Sequence, residues 1–187
     1  RGKRVKIIGR GRPLRAYFDE QAGSYINAIL TGHGIQITTG KSITGVTKSQ
    51  RGLELRCADG EIINTNLLVS CLGERPGLSF IEGSGIKTNQ GILVDSRMRT
   101  NIDDVYAAGD VAEAPSFSNG RPGVSAILPN AIAQGKVAGA NMAGEDTTYA
   151  GWIPMNMLKF FGSSAFSVGE TGDGKAEVLE AKDDRQK

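Results

Sequence analysis

Residues 100–110 read TNIDDVYAAGD. The run Val105-Tyr106-Ala107-Ala108 predicts a short strand whose small alanines let another body pack tightly at its end. Gly109 has no side chain to obstruct a ligand, and Asp110 offers a carboxylate to hydroxyl donors. In doubly wound sheets, ligands lie beyond the carboxyl ends of the strands. A carboxylate at such a place suits a polyol or a ribose and repels a phosphate. Taken alone, the same residues fit a structural turn or a helix N-cap equally well.

Toward the N-terminus, Val5 to Ile8 is a β-branched run ending at Gly9, which predicts a strand. Asp19 to Leu30 has helical spacing with Ala22, Tyr25, Ile26, Ile29 and Leu30 on one face, Asp19 as N-cap and a stop near Gly32. Ile35 to Thr38 is a second short strand, so the opening of the chain predicts a βαβ unit of a parallel sheet. Ser42 to Lys48, Gly52 to Cys57 and Ile62 to Ile63 predict antiparallel strands, with Asp59-Gly60 as a tight turn. Leu67 to Leu72 is nearly all apolar, as expected of a strand buried on both faces, and ends at Gly73-Glu74-Arg75-Pro76. Ile92 to Val94 predicts another strand and Asn130 to Met142 a helix whose small residues permit close packing. Regularity fades after Gly144, and the polar stretch from Gly174 to Lys187 is expected to fray.

Composition narrows the function classes. The 187 residues are 39% apolar and 22% charged, enough to bury a core. A formal charge of +2 without a block of one sign argues against nucleic acid or an anionic membrane as the main partner. Cys57 and Cys71 are in no C-x-x-C spacing, and each sits in or beside an apolar run, so both are expected to be buried free thiols. No metal site and no span long enough for a bilayer is expected, and a reducing cytoplasm is the simplest compartment. His33, in a Thr-Gly-His-Gly loop, is expected at the surface.

A nucleotide-binding α/β domain normally begins with a strand, a glycine-rich turn and a helix whose N-terminus holds phosphates. No G-x-G-x-x-G occurs here: Gly9-Arg10-Gly11 runs into Arg12-Pro13-Leu14. The βαβ unit therefore reads as the second half of such a motif, with its first strand and turn cut away.

The order of the remaining motifs carries more than any one of them. Gly73-x-Arg75-Pro76 is followed by Gly91-Ile92-x-Val94-Asp95, Arg99-Thr100 and Val105 to Asp110. Then come Asn130-Ala131-x-x-Gln134-Gly135-Lys136, Ala138-Gly139 and Asn141 to Gly144. From about Arg4 to Gly172 the series resembles the pyridine-nucleotide disulfide oxidoreductase family. The nearer branch is that of NADH oxidase, coenzyme A disulfide reductase, rubredoxin reductase and the flavin part of assimilatory nitrite reductase.

That resemblance implies an α/β fold: partial FAD/NAD(P)-binding Rossmann-like domains, an antiparallel β insertion and the start of an α+β interface domain. The implied boundaries are 1–73, the C-terminal part of the NAD(P)-binding domain, 74–146, the returning segment of the FAD-binding domain, and 147–187, the start of the interface domain. Asp110 would bind the ribityl chain of FAD with Gly109 beside it, and Ala126-Ile127-Leu128-Pro129 would run past the flavin ring at the start of the long helix. A positive helix N-terminus there favours an electron-rich reduced flavin. Gly73 would lie near the nicotinamide nucleotide. No catalytic residue is assigned, since the family's redox cysteines belong to a part preceding these motifs. The interface domain implies a homodimer for the intact protein. Where an NAD-preferring member carries an acid after the first strand, this sequence has Gly9, then Arg10, Arg12 and Arg15. Loss of the carboxylate removes repulsion against a 2′-phosphate and arginine can bind it, which leans the nucleotide toward NADPH.

The favoured expectation is thus an NAD(P)H- and FAD-dependent oxidoreductase passing electrons to a disulfide, oxygen or a protein acceptor, the segment by itself being inactive. Two other classes stand beside it: a non-catalytic flavin- or nucleotide-binding regulatory module, and an unrelated α/β domain that binds one nucleotide without flavin.

Overall fold

The computed structural model of the chain describes residues 2–169, so the tail from Gly174 lies outside the described residues. They fall into two compact units. One takes in the described residues up to Val69 and those from Asn156 onward; the other is Ser70–Met155.

In the first unit, β1 (Lys6–Ile8) and β2 (Gln36–Thr38) pair in parallel, Ile7 opposite Ile37, and are joined through α1 (Glu20–Gly32). The βαβ unit expected from the sequence is present. Asp19 caps the helix, its Oδ1 accepting the Ala22 N–H at 2.8 Å, and Glu20 sits in the first turn where the helix dipole favours an anion. The apolar stripe is narrower than its spacing suggests. Gly23 and Ile26 are buried, whereas Tyr25 is 63% exposed. Neighbouring residues stand about 100° apart around a helix, which carries Tyr25 off the stripe.

A three-stranded antiparallel meander follows: β3 (Ile43–Ser49), β4 (Gly52–Cys57) and β5 (Ile62–Thr65). Burial in β4 alternates, with Leu55 and Cys57 inward, as the two-residue period of a half-buried strand requires. The Asp59-Gly60 turn is as expected: Gly60 has φ +87°, and Asp59 Oδ1 accepts the Glu61 N–H at 3.1 Å. Lys41 reaches both Asp59 and Glu61 across this turn.

Leu67 to Leu72 is not a buried strand. It pairs with no ladder among the described residues; Leu67 is 75% exposed and Leu72 94%. Apolar composition states a demand for burial, but a strand exists only where neighbours offer hydrogen-bonding edges. Cys71, in the same run, is exposed while Cys57 is buried, so one of the two expected buried thiols is not.

The second unit is built on β6 (Ile92–Leu93), parallel to β7 (Ala112–Pro115), with β8 (Pro122–Gly123) antiparallel on its other side. The expected strand at Val105 to Ala108 is reduced to a single bridge between Tyr106 and Arg99; the regular strand comes after the Gly109-Asp110 turn. Hydrogen bonds from Ala107 N–H to Met98 O and from Thr100 N–H to Val105 O fold residues 98–107 back on themselves, which removes 105–108 from the ladder. Helix α2 (Leu128–Met142) starts two residues earlier than its apolar spacing indicates, with Pro129 in the first turn, where a missing N–H costs nothing. Met98, Ala114, Ala138 and Tyr149 form one core cluster and Ile92, Ala107 and Ala112 another.

The stretch after Gly144 holds more order than its sequence suggests. β9 (Met155–Phe160) and β10 (Ser163–Val168) form a hairpin whose turn residues Phe161 and Gly162 have φ of +48° and +80°. Two consecutive positive φ values match the twist of a tight hairpin. The Phe161 ring stacks on His33, centroids 4.2 Å apart, within the first unit.

Candidate functional site

The Gly109-Asp110 turn is held by two hydrogen bonds. Ala112 N–H donates to Gly109 O at 2.9 Å, closing the turn. Gly109 N–H donates to Gln134 Oε1 at 2.8 Å, tying it to α2. Gly109 has φ +83°, and a Cβ there would stand 3.6 Å from Ala131 Cβ, so backbone conformation rather than crowding demands glycine. Asp110 is exposed, and no group among the described residues pairs with its carboxylate.

Ala131 belongs to the first turn of α2, so the structure brings Gly109 against the start of that helix. Ile127 is the N-cap, with extended backbone and no side-chain cap, which leaves the first N–H groups of α2 without a side-chain acceptor. Ala126 and Ile127 are half-buried, and Leu128 and Pro129 are exposed. Asn130 Nδ2 donates to Ser125 Oγ at 2.8 Å and fixes the approach of the chain to the helix. A carboxylate, a glycine turn and an uncapped helix start therefore share one surface of the second unit.

The second unit also buries a carboxyl group. Glu113 is 1% exposed and accepts hydrogen bonds from Gln90 N–H (2.8 Å), Gly91 N–H (3.0 Å) and Asn89 Nδ2 (3.0 Å). Gly91 is tight here: a Cβ would meet Val111 O at 2.6 Å. Asp95 ties the next turn. Burial raises its pKa, but hydrogen bonds from Arg99 and from the Arg97 N–H hold the carboxyl below its ordinary value.

Gly9, Arg10 and Arg15 lie on the β1–α1 loop of the first unit. Gly9 continues the parallel pairing, its N–H donating to Thr38 O at 3.1 Å. Arg10 and Arg15 are exposed. Arg12 is not free for a ligand in the same way: it donates to Phe18 O at 2.8 Å and lies flat on Gly23, where a Cβ would fall 1.6 Å from its Nη1. Gly73 is exposed in the second unit with φ +96°.

Glu113, Gln134 and the anchoring role of Arg12 went unread in the sequence. The signal for Glu113 was a charge inside an otherwise apolar run, Ala112-Glu113-Ala114, which demands a buried partner set. For Gln134 it was an amide among small helix residues.

Residues 1–135 match the model of the family described as pyridine nucleotide-disulphide oxidoreductase. The chain is 37% identical over 173 residues to the NADH-dependent phenylglyoxylate dehydrogenase subunit epsilon of Aromatoleum evansii, covering 91% of this chain and 41% of that one. It is 34% identical to the NADH-rubredoxin oxidoreductase of Clostridium acetobutylicum, over 87% of this chain and 38% of that one. Among solved structures, an engineered water-forming NADPH oxidase bound to NADPH is similar at 28% identity with a TM-score of 0.79, over 86% of this chain and 36% of that one. The chain spans about two-fifths of the length of the curated relatives it matches.

Proposed function

Since this chain belongs to the pyridine nucleotide-disulphide oxidoreductase family, we propose that it forms part of an FAD-dependent oxidoreductase in which Asp110 receives the ribityl hydroxyls of the flavin. The observation that carries this is the unpaired, exposed Asp110 carboxylate beside the uncapped start of α2. The donor set fits the group: an anionic acceptor for hydroxyls and, at the start of α2, N–H groups suited to an electron-rich ring. Ala126 to Pro129 would line that ring. When bound, the flavin supplies acceptance of hydride from NAD(P)H and its onward delivery as electrons. The chain's own residues bind and orient: Gly109 keeps the turn open, and the half-buried Ala126 and Ile127 limit water at one edge.

For the nucleotide we favour NADPH, bound through Arg10 and Arg15 at the end of β1, with Gly73 near the nicotinamide end. Support comes from the exposure of both arginines and the lack of an acid at Gly9. Similar proteins with NADH and with NADPH in their names show that both nucleotides occur on this fold. We further propose that the full-length protein is a homodimer, that it acts in the cytoplasm, and that its acceptor is a disulfide, oxygen or a redox protein. Among the described residues no helix is long and apolar enough to cross a membrane.

The test uses the full-length protein. Gentle purification is expected to give flavin absorption bands that NADPH bleaches anaerobically. Asp110→Ala is expected to weaken FAD retention on the order of tenfold to a hundredfold, the worth of a hydrogen bond to a charged group. Unchanged FAD affinity in that variant removes Asp110 from the site. Bound flavin that neither NADPH nor NADH bleaches favours a regulatory module instead.

A further inference from the structure

Gln134 is 1% exposed, which is unusual for a side chain carrying both a donor and an acceptor. Its Oε1 accepts the Gly109 N–H across 25 positions of sequence. The Tyr149 phenol stays above its ordinary pKa because burial outweighs the opposing influence of the Gln134 side chain, and its hydroxyl is buried without a hydrogen-bond partner. The amide is thus enclosed on α2 and has little freedom to follow the turn if the turn moves.

The turn has few other restraints. Gly109 sits at φ +83°, where backbone freedom is large, and its carbonyl is held by Ala112 N–H at 2.9 Å. The rotation of the Gly109 peptide N–H sets the direction in which the next residue leaves. That residue is Asp110, whose carboxylate has no partner among the described residues to hold it in place. The place from which its side chain departs is therefore set by the backbone, and the one side chain that holds the backbone on its N-terminal side is Gln134.

We infer that Gln134 is a positioning residue for the Asp110 carboxylate, acting on ligand binding through the Gly109 peptide and touching no ligand itself. This rests on the proposal that Asp110 binds the flavin. Removal of the Oε1 acceptor frees the Gly109 N–H to rotate and also leaves a half-buried donor unpaired. A longer-range consequence follows: the segment carrying Asp110 and the start of α2 are registered to each other by this bond, so a flavin spanning both would meet a fixed spacing.

The experiment is a double-mutant cycle in the full-length protein, with FAD affinity as the readout and thermal melting of the apoprotein as a check on folding. Gln134→Met keeps the shape and removes the acceptor; it is expected to weaken FAD binding about tenfold, the size of one hydrogen bond. Gln134→Glu, whose carboxyl is kept protonated by this enclosed position, retains a neutral carbonyl acceptor and is expected to stay within about threefold of the parent, a difference smaller than one hydrogen bond. Combined with Asp110→Ala, Gln134→Met is expected to cost nothing further. Additive losses in the double variant, or equal losses in the Met and Glu variants, overturn the positioning role. If Asp110→Ala alone leaves FAD affinity unchanged, the flavin assignment of Asp110 falls, an outcome separate from the first because it needs no Gln134 variant. If the Met variant does not fold, the Glu variant's flavin circular dichroism and its coupling to Asp110→Ala carry the same decision.

Discussion

The Gly109-Asp110 turn and the loop from Gly9 to Phe18 are both glycine-led segments that present polar side chains to solvent, yet they are held by opposite means. The turn is fastened from inside the fold by a neutral amide, Gln134 at 1% exposure, in a unit whose core also holds Glu113 with three donors of its own from residues 89–91. The loop, beside its backbone bonds from Tyr17 and Phe18 N–H to Leu14 O, has a cation as its side-chain anchor, Arg12, which packs against Gly23 of α1 and donates to Phe18 O. Leu14, within the loop, takes φ +61°, a conformation a branched side chain rarely adopts. A buried network fixes geometry because each unpaired member would be costly. A single charge on a half-buried surface fixes it far less, since water can replace most of the bond. The geometry of the turn thereby hangs on one buried amide, and that of the loop on a cation that water can partly replace.

The sharpest way to break this contrast is Glu113→Ala. It leaves the Gly91 N–H unpaired in the interior, while the exposed Asn89 and Gln90 can turn their donors to water, and it is expected to destabilise the second unit by about 2 kcal/mol. Chemical denaturation followed at Trp152, whose Nε1 donates to Ala114 O in that unit, reads the change. A loss below about 1 kcal/mol, the net worth of one ordinary hydrogen bond, would show that the Glu113 network contributes little to the rigidity of that unit.

Arg10→Glu addresses the loop. In the full-length protein it is expected to move the ratio of specificity constants from NADPH toward NADH by about tenfold, through loss of a charge-assisted contact and gain of repulsion against a 2′-phosphate. Stability should be unaffected, because Arg10 is exposed. An unaltered ratio takes Arg10 out of the site.

The smallest effect distinguishes anchoring from recognition. Gly23→Ala must expel the Arg12 guanidinium, since its Cβ would overlap Nη1 at 1.6 Å. The helix gains roughly 1 kcal/mol from the replacement of an interior glycine. The bond from Arg12 to Phe18 O loses somewhat more, about 1.5–3 kcal/mol. The expected net loss is thus about 1 kcal/mol, with faster amide exchange confined to residues 10–18. Unchanged exchange there would mean that the loop does not depend on Arg12.

Much of this was legible beforehand where the cause is local. The N-cap at Asp19, the turn at Asp59-Gly60 and the three meander strands follow from residues within a few positions of one another. So does the βαβ unit, whose two strands and helix each carry their own period. The site was legible in outline for a different reason: the order of the Gly73, Gly91, Gly109 and Asn130 segments resembled a family, and Gly109 and the start of α2 are neighbours in the structure. Its fastening was not, because Gln134 acts on a group 25 positions away, nor was the burial of Glu113, whose donors lie 22 to 24 positions away.

The sequence by itself determined the βαβ opening, the antiparallel insertion, the caps and turns, and the glycine at 109, all consequences of backbone sterics and short-range hydrogen bonding. The tertiary structure alone decided that the ladder strand follows the Gly109-Asp110 turn instead of preceding it. It decided too that Leu67 to Leu72 stays exposed and that Ala112-Glu113-Ala114 is buried in its place. An apolar run needs a partner edge to become a buried strand, and a carboxyl group needs three donors to become a core residue. Neither is a property of the run or of the residue; each belongs to what the rest of the chain brings to it.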